Sequence, residues 1–379
     1  MMRGVIAVSM LMMPLAALPL SAQQLPAGLT LEDALRIARE HSPVYQRTTN
    51  DLELASDAVR SAWAAFMPTL STSLSSGLSM SRRTIAENEF GEVGERPTTV
   101  TTRSSSSGQS ISAGMQVFNA TLLPNVRAEQ AQYEVASAQI EGAAIQLDAQ
   151  VSRAFYAAVQ ATRNITLEEQ LLASARERLE HTEQLMGLAA RTRVDLLGAQ
   201  EEVLTSEQNL QRARGTADKA RLTLAVTMGI EPQLAMTVDT VMPPVFDPAE
   251  LNVEQLVADA VVNSPDVLQR MAALRAAGHR RSAASAQRWP TVSMSGSYGR
   301  SGSARGYGGF GELDLPNSGT GMSMSISLPL FSRFQTSRAI GAAAAAEQDA
   351  SHDLRSAQLT VESEVRSRVI DLASAYRAL

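Results

Sequence analysis

Two periodicities alternate along this chain, and they do so twice in the same order. Near the N-terminus Thr30-Leu31-Glu32 reads as a helix start and Ser42-Pro43 as a break, with a longer helical stretch running to about Phe66. Pro68 ends that stretch, because proline disfavours helical geometry in the residue before it. The pattern then switches to period two. Leu70, Thr72, Leu74, Ser76, Leu78 and Met80 alternate mainly with serines, and Ile111, Ala113, Met115 and Val117 form a second such set. The later chain repeats this after Pro290, with Val292, Met294, Gly296 and Tyr298, then Met322, Met324, Ile326, Leu328 and Leu330. Alternating runs of about nine to eleven residues have the length of a tilted membrane-crossing strand. Phe66, Phe118, Trp289, Phe331 and Phe334 fall at one end of the strands, as an interfacial aromatic girdle would. At the other end, residues 82–109 (charged, Ser/Thr-rich) and 300–320 (Gly/Ser-rich) read as long polar loops. The competing arrangement is four amphipathic strands in a soluble sandwich.

The recurrence is a tandem duplication. Residues 29–73 align with 251–295 at a constant offset of 222, with 13 identities in 45 positions. Ser42-Pro43 meets Ser264-Pro265, and Pro68-Thr69 meets Pro290-Thr291. A second block aligns at an offset of 213, with Phe118 on Phe331 and Arg153 on Arg366, so the intervening loop is nine residues shorter in the second copy. The domain organisation expected from this is a first repeat over 23–232, a proline-containing linker over 233–250, and a second, incomplete repeat over 251–379.

Later in the first copy the period changes to seven. Val151, Ala158, Ile165, Leu172, Leu179 and Met186 recur at that spacing in a helix expected from about Asn119 to Met186, roughly 100 Å long at 1.5 Å per residue. After Gly187–Val194, Leu196, Val203, Leu210, Ala217 and Leu224 do the same, with Ala199, Ser206, Ala213 and Ala220 three positions behind. Two opposed heptad stripes joined by a short turn predict an antiparallel coiled-coil hairpin.

Composition narrows the class. Aromatics are only 4% of the chain, which suits long, closely packed helices better than a thick core. The net charge of −6 argues against a nucleic-acid partner. Lys219 is the single lysine, so nearly all positive charge is arginine. The chain has no cysteine, which excludes disulfides, thiol catalysis, Cys-based zinc sites and a lipid-modified N-terminal cysteine. Residues 1–22 combine an early arginine, an apolar run from Val5 to Leu20 and the exit Ser21-Ala22, the three parts of a secretory signal peptide. The expectation is an exported protein cleaved after Ala22.

Catalytic chemistry finds no foothold. His41, His181, His279 and His352 are scattered, without H-E-x-x-H, G-x-S-x-G or a P-loop. The run Gly306-Tyr307-Gly308-Gly309-Phe310-Gly311 matches G-x-G-x-x-G, but serine-rich alternation surrounds it and no helix is expected to follow. No enzyme activity, cofactor or metal is expected. Four strands cannot close a membrane barrel, and an open edge cannot face lipid, so strands in a membrane imply an oligomer.

The duplicated helix–Pro–strand–loop–strand–helix unit resembles the outer-membrane efflux protein family, the TolC-like exit ducts of Gram-negative bacteria. So do Leu328-Pro329-Leu330-Phe331, the stretch Gly187-Leu188-Ala189-Ala190-Arg191-Thr192-Arg193-Val194-Asp195-Leu196-Leu197, and Met228-Gly229-Ile230-Glu231-Pro232. The resemblance covers about Leu29 to Leu379. It implies an α+β membrane protein: long antiparallel coiled-coil helices forming a periplasmic α-barrel, and four transmembrane strands per protomer in a shared trimeric twelve-stranded β-barrel. It implies a passive exit duct in the outer membrane, serving tripartite efflux or type I secretion, with a periplasmic adaptor and an inner-membrane pump or ABC exporter as partners. By the same correspondence Gly187 and Leu188 are candidates for adaptor contact. Asp195 matches a tip acid that helps hold the closed state, although helix capping alone would justify it. By the spacing of the first copy the second would end near residue 445, about 66 residues past Leu379, so the chain is expected to be truncated relative to the family. A periplasmic coiled-coil adaptor or scaffold is the alternative; it accounts for the hairpin but not for the four alternating segments.

Overall fold

The computed structural model describes residues 28–87, 93–188, 190–232, 236–240, 246–308, 310–311 and 315–378. The expected leader, 1–22, lies outside the described residues, as do parts of the linker. Among them the order is α1 (Leu31–His41), α2 (Pro43–Ala64), β1 (Thr69–Glu87), β2 (Val93–Asn119), α3 (Leu122–Gly187), α4 (Arg193–Met228), a 3-10 turn (Pro248–Glu250), α5 (Val253–Asn263), α6 (Pro265–Ala286), β3 (Thr291–Arg305), β4 (Asn317–Ser327) and α7 (Gln335–Arg377). The starts of α1 and α5, α2 and α6, and β1 and β3 are each 222 residues apart, and those of α3 and α7 are 213 apart. Local chemistry sets these boundaries. Thr30 caps α1 by accepting from the Asp33 amide, and Asn252 caps α5 by accepting from that of Gln255. Pro43 and Pro265 open the next helices, where a missing N–H costs nothing.

The chain divides into two compact units, one of Met1–Ser42 with Asp148–Pro243 and the other of Pro43–Leu147 with Pro244–Leu379. In the first, α4 and the later part of α3 run antiparallel. The pairs Arg176–Glu207 (2.8 Å), Arg178–Glu202 (2.7 Å) and Arg214–Glu169 (3.0 Å) step in opposite directions along the two helices. These pairs are half exposed and contribute about 0–1 kcal/mol each. The stability comes from the seam, where Val151, Ala158, Leu172, Leu210, Ala217 and Leu224 are buried as the heptads predict. Each large side chain there contributes about 1.5–3 kcal/mol. The α1 helix packs on α4 with Ala34, Ile37 and Ala38 buried, and Leu29 forms a parallel bridge to Val238. The α4 helix ends on Gly229 at φ +77, one of the few places where the fold demands glycine. A Cβ there would lie 2.4 Å from the His41 carbonyl oxygen and 2.9 Å from Ser42 Cα.

In the second unit the four strands form one antiparallel sheet in the order β1-β2-β3-β4, and α7 packs on α6 and α5. Arg366 of α7 reaches back to Glu254 of α5 at 2.9 Å, and that partner, followed by Glu362, raises its pKa. Its counterpart in the first copy, Arg153, donates instead to the carbonyl of Ala149 in its own helix.

The strands differ from expectation at both ends. The first hairpin is far longer, since β1 reaches Glu87 and β2 starts at Val93, so most of the expected loop 82–109 is sheet. Ser and Thr occupy both faces there and give no period-two contrast, yet β-branched threonines and cross-strand hydroxyl pairs stabilise a pleated ribbon. The second loop shrinks similarly from 300–320 to 306–316. By contrast β4 stops at Ser327, short of Leu328 and Leu330, because Pro329 has no N–H to give the ladder.

Candidate functional site

Strand register makes this sheet a two-faced object. Cross-strand partners point the same way, so rungs such as Leu70↔Ala113↔Gly296↔Met322 and Met115↔Met294↔Met324 collect apolar side chains on one face. Leu70, Leu74, Met322, Met324 and Ile326 are all well exposed on it. The opposite face carries the alternate residues, which are almost all serine or glycine. Their hydroxyls pair rung by rung: Ser71–Ser112, Ser73–Ser110, Ser293–Ser325 and Ser295–Ser323, each at 2.8 Å. Each hydroxyl thereby meets a partner while keeping its remaining lone pair for water. No charged side chain lies on this face from Thr69 to Ser81 of β1 or from Ser293 to Ser303 of β3.

The aromatic residues expected to form a girdle gather at the end of the sheet where strands meet helices. Thr291 pairs with both Asn119 and Ser327, which brings Phe118, Trp289 and the stretch after β4 to one level. Phe331 and Phe334 stack edge to face with centroids 6.0 Å apart, and Trp63 and Phe66 lie 5.8 Å apart.

At the opposite end the chain after β3 folds back on the apolar-phase face. The Gly311 amide donates to Ser76 Oγ (2.9 Å) and Ser107 Oγ (3.2 Å), Leu315 is buried, and Arg103 sits 5.9 Å from the Tyr307 ring centre. Here the described residues of the Gly-rich match, 306–308 and 310–311, are a turn after β3, and no helix follows them among the described residues before β4. The sequence held a faint signal for this dock: Ser76 occupies a position where the alternation of Leu70, Leu74 and Leu78 calls for an apolar residue.

The helical hairpin supplies the second candidate surface. It brings Gly187, Leu188 and Asp195 to one end. The α3 helix closes with the Leu188 and Ala190 amides both donating to the Leu185 carbonyl, at 3.2 and 2.9 Å. Leu188 is left 77% exposed, although it is apolar. Asp195 forms a full capping box with Thr192. Its Oδ2 accepts from the Thr192 amide and hydroxyl, both at 2.8 Å, while its own amide donates to Thr192 Oγ1. The Thr192 amide, then its hydroxyl, hold the Asp195 carboxyl below its ordinary pKa. A depressed folded pKa stabilises the tip above the ordinary carboxylate value and ceases to do so as pH falls through the depressed one. Protection of the amides over 193–196, taken against the intrinsic exchange rate at each pH, is therefore expected to fall as pH drops below about 4. Asp195→Ala should show the lower protection already at neutral pH; unchanged protection would remove the capping role.

A lipid-matched apolar band, an uncharged hydroxyl face and an exposed helical tip are the parts of a conduit, and the sequence comparison supplies its kind. Residues 34–230 and 256–379 match the outer membrane efflux protein family. The chain belongs to that family. As an outer membrane efflux protein it is a channel of the outer membrane, an exit duct for efflux or secretion, and catalyses no reaction. Solved structures share its fold. A membrane protein from Pseudomonas aeruginosa is similar at 20% identity and a TM-score of 0.67, over 90% of this chain and 76% of that one. The outer membrane protein VceC from Vibrio cholerae matches at 17% identity and a TM-score of 0.63, over 87% and 75% of the two chains. The outer membrane channel CmeC of Campylobacter jejuni matches at 13% and 0.68, over 89% and 70%. No curated protein sequence matches the chain. Among the described residues of this efflux protein, no group of His, Asp or Glu could hold a metal ion, and no helix is long and apolar enough to cross a membrane.

Proposed function

We propose that three copies of this chain close one twelve-stranded barrel, and that the assembly passes cargo from a periplasmic adaptor and an inner-membrane pump or ABC exporter to the exterior. The observation that carries this is the pair of open edges. The sheet ends on β1 and β4, each with a row of unshared backbone groups beside side chains apolar enough for lipid. Unsatisfied amides in hydrocarbon cost several kcal/mol each, so β1 of one copy must pair with β4 of the next. Closure turns the apolar face to lipid and the hydroxyl-paved face to the lumen. The tandem organisation, 23–232 and 251–379 joined by 233–250, supplies two strands per repeat. The native mass of the protein extracted from outer membranes is expected to be three times that of the protomer; a monomer would overturn the shared barrel.

Gly187 and Leu188 are the proposed adaptor contacts, since an exposed leucine beside a glycine offers an apolar point of close approach. Asp195 is the proposed closed-state acid, held in position by its capping box. Replacing Gly187 and Leu188 together with arginine should abolish adaptor capture while leaving trimers and single-channel conductance intact. Unchanged capture would remove the tip from the interface.

A further inference from the structure

We infer that the junction between strands and helices is a binding collar for anionic phospholipid headgroups, with Arg288 and Arg333 as phosphate ligands on the periplasmic leaflet. This rests on the proposed barrel, which puts the apolar band of the sheet in lipid. Charge distribution is the first support. The chain is acidic overall, yet every charged residue between Asp57 and Glu87, between Glu95 and Glu129, between Asp266 and Glu312, and between Asp314 and Glu347 is an arginine. Those intervals hold nearly all of the sheet and all four passages between sheet and helix. An acidic chain that keeps acids out of its membrane region alone is matched to negatively charged surroundings there.

Ion pairing separates the collar from arginines farther along the helices, whereas Arg127 and Arg338, about one turn into α3 and α7, are exposed and, among the described residues, unpaired like it. Farther along the helices, Arg60 pairs with Asp57, Arg270 with Asp353, Arg275 with Glu134 and Arg281 with Glu347. Arg288 and Arg333 are exposed, and their guanidinium groups make no ion pair or hydrogen bond among the described residues. Thr291 pairs with Ser327, so Arg288, three residues before one, and Arg333, six after the other, leave the same end of the sheet. Each arginine adjoins exposed rings, Trp289 in one case and the edge-to-face pair Phe331 and Phe334 in the other. Rings that seat at headgroup depth beside uncompensated guanidinium groups present the two chemistries of a phospholipid interface, an apolar boundary and a phosphate.

The backbone supports a dedicated function. Arg333 (φ +50) and Phe334 (φ +63) are the only non-glycine residues with positive φ among those described. Their counterparts in the first copy, Ala120 and Thr121, are not in that conformation. A left-handed pair of bulky residues is costly and persists where the surroundings hold it, a pattern concentrated at sites of function. Only the second copy has both the strain and the arginine.

The chain's two tryptophans, Trp63 and Trp289, lie beside this junction and serve as local probes. The full chain would be reconstituted in vesicles of phosphatidylethanolamine and phosphatidylglycerol, with one or the other lipid brominated. At equal mole fraction brominated phosphatidylglycerol is expected to quench the tryptophans in excess, reporting a relative enrichment of roughly fivefold to tenfold that falls with salt. Arg288→Gln with Arg333→Gln should erase the excess, and the two lysine replacements should restore most of it. Inorganic phosphate should not compete; competition would make this a free-phosphate site and overturn the lipid assignment. Equal quenching in the wild type, or an excess that survives in a glutamine variant still conducting in bilayers, would overturn the collar. Quenching by neither lipid would remove the sheet from the bilayer, and the shared barrel with it.

Discussion

Met322→Arg is expected to block assembly of the duct, whereas the neighbouring Ser323→Arg leaves it folded with altered conductance. The two residues are adjacent in β4 and differ only in which face of the sheet they occupy. Met322 is 79% exposed on the apolar face, in the rung Leu70↔Ala113↔Gly296↔Met322. Arginine at the middle of a lipid-facing band costs about 2–4 kcal/mol, and a symmetric trimer would bear that cost three times over. Ser323 belongs to the hydroxyl face and pairs with Ser295 at 2.8 Å. Its replacement loses one hydroxyl pair, while the guanidinium remains in water. The measurement is the fraction of heat-modifiable, folded protein recovered from outer membranes, followed by single-channel recording. Equal recovery of the two variants would show that the two faces do not divide lipid from lumen.

Gly229→Val should be the most destabilising single change at the end of the helical hairpin. A side chain at φ +77 is strained in any surroundings, and here its Cβ would stand 2.4 Å from one backbone atom and 2.7 Å from the next. Both belong to His41 and cannot move without withdrawing the end of α1 from α4. Strain of about 1–3 kcal/mol for the left-handed conformation adds to the displacement, giving a loss of at least about 3 kcal/mol. Urea titration followed by far-UV circular dichroism should show the lower midpoint. Gly187→Ala is the control: it has open space around the same added atom and should shift the midpoint little.

How much of this was legible beforehand depends on the range over which each signal acts. Pro43, Pro265, the Thr30 cap and the Thr192–Asp195 box set helix boundaries through neighbours three or four residues away, so they can be read from the sequence directly. Heptad spacing marked Val151, Ala158, Leu210 and Leu224 as a seam for the same reason, because the helical repeat carries its own geometry. Alternation in Leu70–Met80 and Met322–Ile326 also foretold two faces of unlike chemistry. It lost the strands where the contrast vanished, at the Ser and Thr residues beyond Met80 and before Ile111. Those segments are strands because they face each other, a matter of partners rather than pattern.

Local encoding, within a few residues each time, accounts for the duplicated order of helices and strands, the caps and breaks between them, and the two-faced character of the sheet. Long-range packing accounts for the register that sets Ser71 against Ser112 and Thr291 against Ser327, the His41 carbonyl that makes Gly229 irreplaceable, and the turn that lays Gly311 on Ser76 and Ser107. These join positions about 40 to more than 200 residues apart, and no local propensity reaches that far. They are settled by which packing satisfies the backbone and buries the most apolar surface at once.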